Sequence, residues 1–158
     1  MAKNGIAASV LLIGLAAMAA PAQAEWKQAS TPTIFAAYAV DPSGIMEVQV
    51  VCDTTDGVIG LTLFTGGLYE DVADEPREQL LTVSVDGRSL PVLQGRYERH
   101  EQELLLSVWS DAEADLVEAL YQMSQARNFV ELSYLDVAVG FDAEAIEPAL
   151  ETVLETCP

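Results

Sequence analysis

Two cysteines, Cys52 and Cys157, set the strongest limit on how this chain folds. Cys52 lies in Ile45–Asp53, where alternation places Met46, Val48, Val50 and Cys52 on one face. Glu47, Gln49 and Asp53 fall on the other face, with Val51 the one exception. Cys157 continues a helical stripe of Ile146, Ala149, Leu150 and Val153. Both sulfurs therefore face a core. They form no C-x-x-C pair, and no histidine or third cysteine stands near either, so redox and zinc chemistry are unsupported. A bond between them would pin a C-terminal helix onto an early strand. Closing a loop of about 100 residues stabilises a fold by on the order of 4–5 kcal/mol in the chain-entropy model.

That bond needs an oxidising compartment, and the N-terminal residues point to one. Met1–Ala24 reads as a secretory signal peptide. Lys3 is its only charge, Ile6–Ala20 is an unbroken run of apolar and small residues, and Ala22-Gln23-Ala24 is an A-x-A cleavage site. Cleavage between Ala24 and Glu25 leaves no lipid-acceptor cysteine, and no Arg-Arg pair marks a twin-arginine route. The apolar run is short for a membrane span, which takes about 20 residues. No integral membrane segment is expected after cleavage. The short, alanine-rich leader favours the periplasm, with secretion beyond the cell as the alternative.

Residues 25–158 then make one exported domain of ordinary size. The whole chain carries 25 acidic and 7 basic residues, a net charge of −18. Removing Lys3 with the leader leaves 6 − 25 = −19. Such a surface repels nucleic acid and anionic membranes, so no nucleic-acid partner is expected. The acids are scattered rather than blocked, as on a solvated surface.

Period-two alternation predicts strands over 34–40, 45–52, 58–64, 80–85 and 103–109, with a returning strand over 88–93. Tight turns are expected at Asp41-Pro42-Ser43-Gly44, Asp56-Gly57 and Asp86-Gly87. In the first strand, Ile34, Ala36, Tyr38 and Val40 form the candidate core face. Residues 25–32 read as a loose lead and 65–76 as a loop. Ser110 with Glu113 forms a capping-box pattern ahead of a helical face of Leu116, Val117, Leu120 and Met123. A last strand follows over 130–135. The final helix either is capped by Asp142 and kinks at Pro148 or starts near Pro148, and the later start is expected because a proline suits a first helical position. The fold class is therefore α+β: a mostly antiparallel sheet of about six to seven strands, with two helices.

The chemistry-bearing residues converge on no motif. His100, the only histidine, sits in the charged run 96–101 and reads as a solvated loop residue. Asp53-Thr54-Thr55-Asp56-Gly57 lacks the spacing and terminal glutamate of a calcium loop. Glu70-Asp71 and Asp74-Glu75 make a dense acidic loop that suits weak Ca²⁺ binding at most. Trp26, Trp109, Tyr97, Tyr121 and Tyr134 show no platform spacing and read as core and rim packing. No catalytic residue, cofactor or metal ligand is assigned.

The layout of signal peptide, early core-strand Cys52, then Phe141, Ala149-Leu150 and Cys157 resembles small periplasmic proteins of proteobacteria. Invasion-associated-locus-B-like proteins and some type VI secretion accessory proteins are similar in style. This chain departs from that pattern by placing Pro148 within the closing helix. The resemblance implies a strand-rich fold and a compartment, and carries no catalytic residue over. The expected function is a non-enzymatic binding or accessory domain that contacts a protein of the cell envelope. An exposed apolar patch or open sheet edge would accompany it. The alternative is a carboxylate-based hydrolase or weak Ca²⁺ binder, which needs a cleft holding two close acids. A purely structural envelope protein would show neither.

Overall fold

The computed structural model describes residues 25–157, so the expected signal peptide lies outside the described residues. Ten strands form among the described residues: β1 (Lys27–Ser30), β2 (Ile34–Val40), β3 (Glu47–Asp53), β4 (Val58–Leu68), β5 (Glu78–Val85), β6 (Arg88–Ser89), β7 (Leu93–His100), β8 (Glu103–Trp109), β9 (Phe129–Tyr134) and β10 (Val137–Asp142). Helix α1 (Leu116–Ser124) lies between β8 and β9, and α2 (Ile146–Thr156) follows β10. The strands make one antiparallel sheet in the order β1-β2-β3-β4-β8-β7-β5-β9-β10, with β6 beside β5. The α+β class holds. The expected count of six to seven strands is corrected to ten.

Each extra strand has an identifiable cause. β1 is polar and wholly exposed, so it carries no hydrophobic signal and exists through its ladder to β2. β10 reads Val-Ala-Val-Gly-Phe-Asp, with Val139 and Phe141 buried. It folds back on β9 through a turn where Leu135, at φ 49°, takes the place a glycine or asparagine would fill. The return expected over 88–93 splits into β6 and β7. Ser84 pairs with Ser89 but Leu81 pairs with Leu93, so three steps along β5 match four on the returning strand. One extra residue is accommodated around Pro91, which has no N–H to give a ladder. β7 then keeps an inward row of Leu93, Gly95 and Tyr97 beneath its charged exterior. β4 likewise runs on to Leu68, past the expected start of a loop.

The core lies between one face of this sheet and the two helices. Val48, Val50 and Cys52 of β3 and Ile59, Leu61 and Leu63 of β4 face it as the alternation predicts. Leu81, Val83 and Val85 of β5, and Leu104, Leu106 and Val108 of β8, do the same. β2 has the opposite phase from the expected one. Its register sets Phe35 against Cys52, Ala37 against Val50 and Ala39 against Val48. Ala37 and Ala39 are buried under α2, where small side chains admit a helix, while Ile34 and Tyr38 point away.

Both helix starts also differ from expectation. α1 begins at Leu116, not at Ser110, whose hydroxyl instead accepts the Ile59 N–H at 3.1 Å. Glu113 accepts the amides of Gln94 and Asp115. Val117 proves exposed, and Ala119 completes the buried face with Leu116, Leu120 and Met123. α2 begins at Ile146, and Pro148 falls in its first turn, where the amides have no helical acceptor to lose.

Two devices hold α2 in place. The Cys52–Cys157 disulfide forms as the stripes predict, with Cα atoms 5.8 Å apart. Trp26, expected in a loose lead, is buried at 2% exposure. Its indole N–H donates to the Asp142 carbonyl at 2.9 Å, and its amide N–H donates to the Glu144 carbonyl at 3.1 Å. The residue preceding β1 is thereby tied to the last residue of β10 and to the loop that follows it. The Gln28 side chain adds a bond to the Pro148 carbonyl at 2.6 Å.

Replacing Cys52 and Cys157 together by alanine lowers the unfolding free energy by about 4 kcal/mol, measured by urea titration. Under denaturing alkylation without reductant, the purified protein shows no free thiol.

Candidate functional site

The face of the sheet turned away from the helices carries a groove of about 610 Å³ that is open to solvent. It crosses the strands rather than following them. Ile34 of β2, Val51 of β3, Val58 of β4 and Trp109 of β8 contribute apolar floor. Asp53, Asp56, Glu78 and Asp111 are its acidic lining residues, and Arg96 is its one basic residue among the described residues.

Trp109 is the centre of this surface, and its seat is built by register. Gly60 of β4 pairs directly with Trp109 of β8. A Cβ at residue 60 would come within 2.3 Å of the indole ring, so only glycine lets the ring lie where it does. Gly60 serves no turn there, since its φ is not positive. The indole N–H donates to Glu98 Oε1 at 3.1 Å, and Arg96 Nε stands 3.8 Å from the same carboxylate oxygen. Beside the ring, Thr62 and Ser107 are buried and share a hydrogen bond at 3.1 Å. Core packing on the helix side does not account for these contacts, because all of them lie on the opposite face.

The sequence held two signals for this surface. Val51 breaks the alternation of β3 because it is an apolar residue on the outer face. Trp109 falls out of phase with Leu104, Leu106 and Val108 for the same reason. Nothing local says that residues from six strands meet there, because that follows from strand order. Among the other aromatics, Tyr97 and Tyr134 are core residues, and burial pushes both phenols above the ordinary range. Tyr121 is exposed on α1.

The remaining candidates do not gather into a site. His100 ends β7 in solvent, with its ring edge-on to Phe64 at a centroid separation of 6.3 Å. Asp53 and Gly57 close a turn: Asp53 accepts the Thr55 amide at 2.8 Å, and Gly57 takes φ 66°. Glu70 pairs with Arg99 at 3.2 Å in solvent. Among the described residues, no three acids, cysteines or histidines are grouped to hold a metal ion.

Two carboxyls are held below the ordinary aspartate value, and both build turns away from the groove. Burial pushes Asp41 up, but the hydroxyl of Ser43 and the amides of Ser43, Ile45 and Met46 outweigh it. Asp86 accepts the amides of Arg127, Asn128 and Phe129 at 2.8–3.1 Å, which tie the start of β9 to the β5–β6 turn. Neither carboxyl is placed for acid–base work on a molecule in the groove.

No family model, curated protein or solved structure matches this chain.

Two outcomes follow from this geometry. Gly60→Ala drives the Trp109 ring off its seat and breaks its bond to Glu98. Indole emission shifts to longer wavelength, and stability falls by about 1–2 kcal/mol. Asp86→Asn destabilises the fold at neutral pH. Because the folded pKa lies below the unfolded one, that stabilisation is present above the ordinary value of 3.8 and is lost as pH falls through the folded value. In paired urea titrations, the gap between wild type and Asp86→Asn therefore narrows below about pH 4.

Proposed function

We propose that this chain is an exported accessory domain of the cell envelope that acts by protein–protein contact and carries out no chemistry of its own. Its binding surface is the outer-face groove around Trp109. The observation that carries this reading is the Gly60–Trp109 pair. A glycine inside a strand costs stability relative to a residue with a side chain, by about 0.5–1 kcal/mol. Here it serves to seat a tryptophan on the solvent side of the sheet. Tryptophan is among the residues most enriched at the centres of protein interfaces. A surface shaped in this way is explained by something that binds it.

The compartment is part of the same proposal. A disulfide between Cys52 and Cys157 is consistent with an oxidising compartment outside the cytoplasm. Among the described residues, no helix is long and apolar enough to cross a membrane. With the leader read from the sequence, these features support a periplasmic address.

The test is photocrosslinking in cells from three positions: Ala112 at the groove wall, Ala138 on β10 and Tyr121 on α1. Ala112 is expected to capture a discrete envelope protein that the other two do not. Capture only from Ala138 or Tyr121 would assign binding to another face. Equal capture from all three would deny the groove any special role.

A further inference from the structure

We infer that the occupant of the groove is an extended, basic segment of a partner protein, with a lysine or arginine side chain over the exposed face of Trp109. This rests on reading the groove as the binding surface, and it adds the chemistry of what binds.

The span gives the form of the occupant. The groove runs from Ile34 on β2 to Glu78 on β5, across the strands β2-β3-β4-β8-β7-β5. Five inter-strand spacings of about 4.8 Å make roughly 24 Å, the length of about seven residues of extended chain. An open trough of that length suits a peptide segment better than a compact small molecule, which would leave most of the floor wet.

The charges give its sign. Asp53, Asp56, Glu78 and Asp111 line the groove. Among the described residues only two ion pairs form, Arg96–Glu98 and Arg99–Glu70, and neither uses any of those four acids. The one cation of the groove among the described residues is thus already engaged by Glu98, and the four acids that line it have no internal counter-charge. An acidic segment would bring like charges together over an apolar floor. A basic one supplies the missing cations, and the chain's net charge of −18 steers it in. The indole adds a specific contact. One side of its ring is against Gly60, its N–H is held by Glu98, and the remaining face borders the groove. A cation over a tryptophan face within about 6 Å is attracted by the ring quadrupole.

The experiment titrates the purified protein with a peptide of alternating lysine and leucine about eight residues long, and with its glutamate–leucine counterpart. Tryptophan emission and calorimetry report binding. The lysine peptide is expected to bind, to shift the emission, and to weaken with added salt, while the glutamate peptide does not bind. Asp56→Asn with Asp111→Asn is expected to weaken binding about tenfold. Both residues are exposed, so the fold is retained. Glu147→Gln with Glu151→Gln removes the same charge from α2 and should change affinity by less than about twofold. Equal losses from the two double variants would reduce the effect to non-specific attraction and overturn the inference. So would binding of both peptides alike, no binding of the lysine peptide, or spermidine binding as tightly as the peptide. Capture of a partner from Ala112 alongside a failed lysine peptide would overturn the chemistry alone. Absence of capture from Ala112, with capture from another face, would overturn the groove reading itself.

Discussion

Two short helices must cover one face of a wide sheet, and the rest of the structure depends on how that mismatch is met. α1 has 9 residues and α2 has 11. At 1.5 Å per residue they are about 14 and 17 Å long. Nine strands laid side by side and flat would reach roughly 38 Å. Flat, such a sheet would leave much of its apolar face in water. It curls instead, until the residue before β1 meets the end of β10 and the loop after it. Trp26 makes that join, with its indole and its amide bonded to the Asp142 and Glu144 carbonyls. The disulfide fixes the end of α2 to β3 on the same inner side. Together they hold the helix pair inside the curve.

The outer face follows from the inner one. Alternation sends every second residue away from the helices, so the outer surface is decided once the register is set. Most outward residues are polar or charged. Where β2, β3, β4, β8, β7 and β5 lie side by side, Ile34, Val51, Val58 and Trp109 are brought together instead. The absence of a side chain at Gly60 makes the seat, and Glu98 holds the ring from its other end. Asp53, Asp56, Glu78 and Asp111 along the groove form no ion pair within the described residues, so the groove keeps a negative field.

The acids of this chain divide into two kinds by what they touch. Asp41 and Asp86 are consumed in holding turns, each accepting several backbone amides, and their carboxyls titrate low for that reason. Asp56 and Asp111 stand exposed at the groove and take part in neither ion pair. A sequence shows both kinds as the same letter. The difference between a structural carboxylate and one left for a partner is a matter of which donors the fold delivers to it.

The sequence by itself determined the antiparallel α+β class, the inward faces of β3, β4, β5 and β8, and the pairing of Cys52 with Cys157. These follow from local periodicity, since a strand or helix shows its buried face in its own spacing. Only the tertiary structure decided the ten-strand count, the phase of β2, the start of α2 and the groove. β1 has no apolar pattern to read and is a strand through its partner alone. Ala37 and Ala39 face inward because α2 needs room there, against the claim of the larger Ile34 and Tyr38. Trp109 and Gly60 are 49 residues apart in sequence, 109 − 60, and no local signal links them. Their meeting depends on β4 and β8 being neighbours, and strand order is a property of long-range packing that a one-dimensional pattern does not contain.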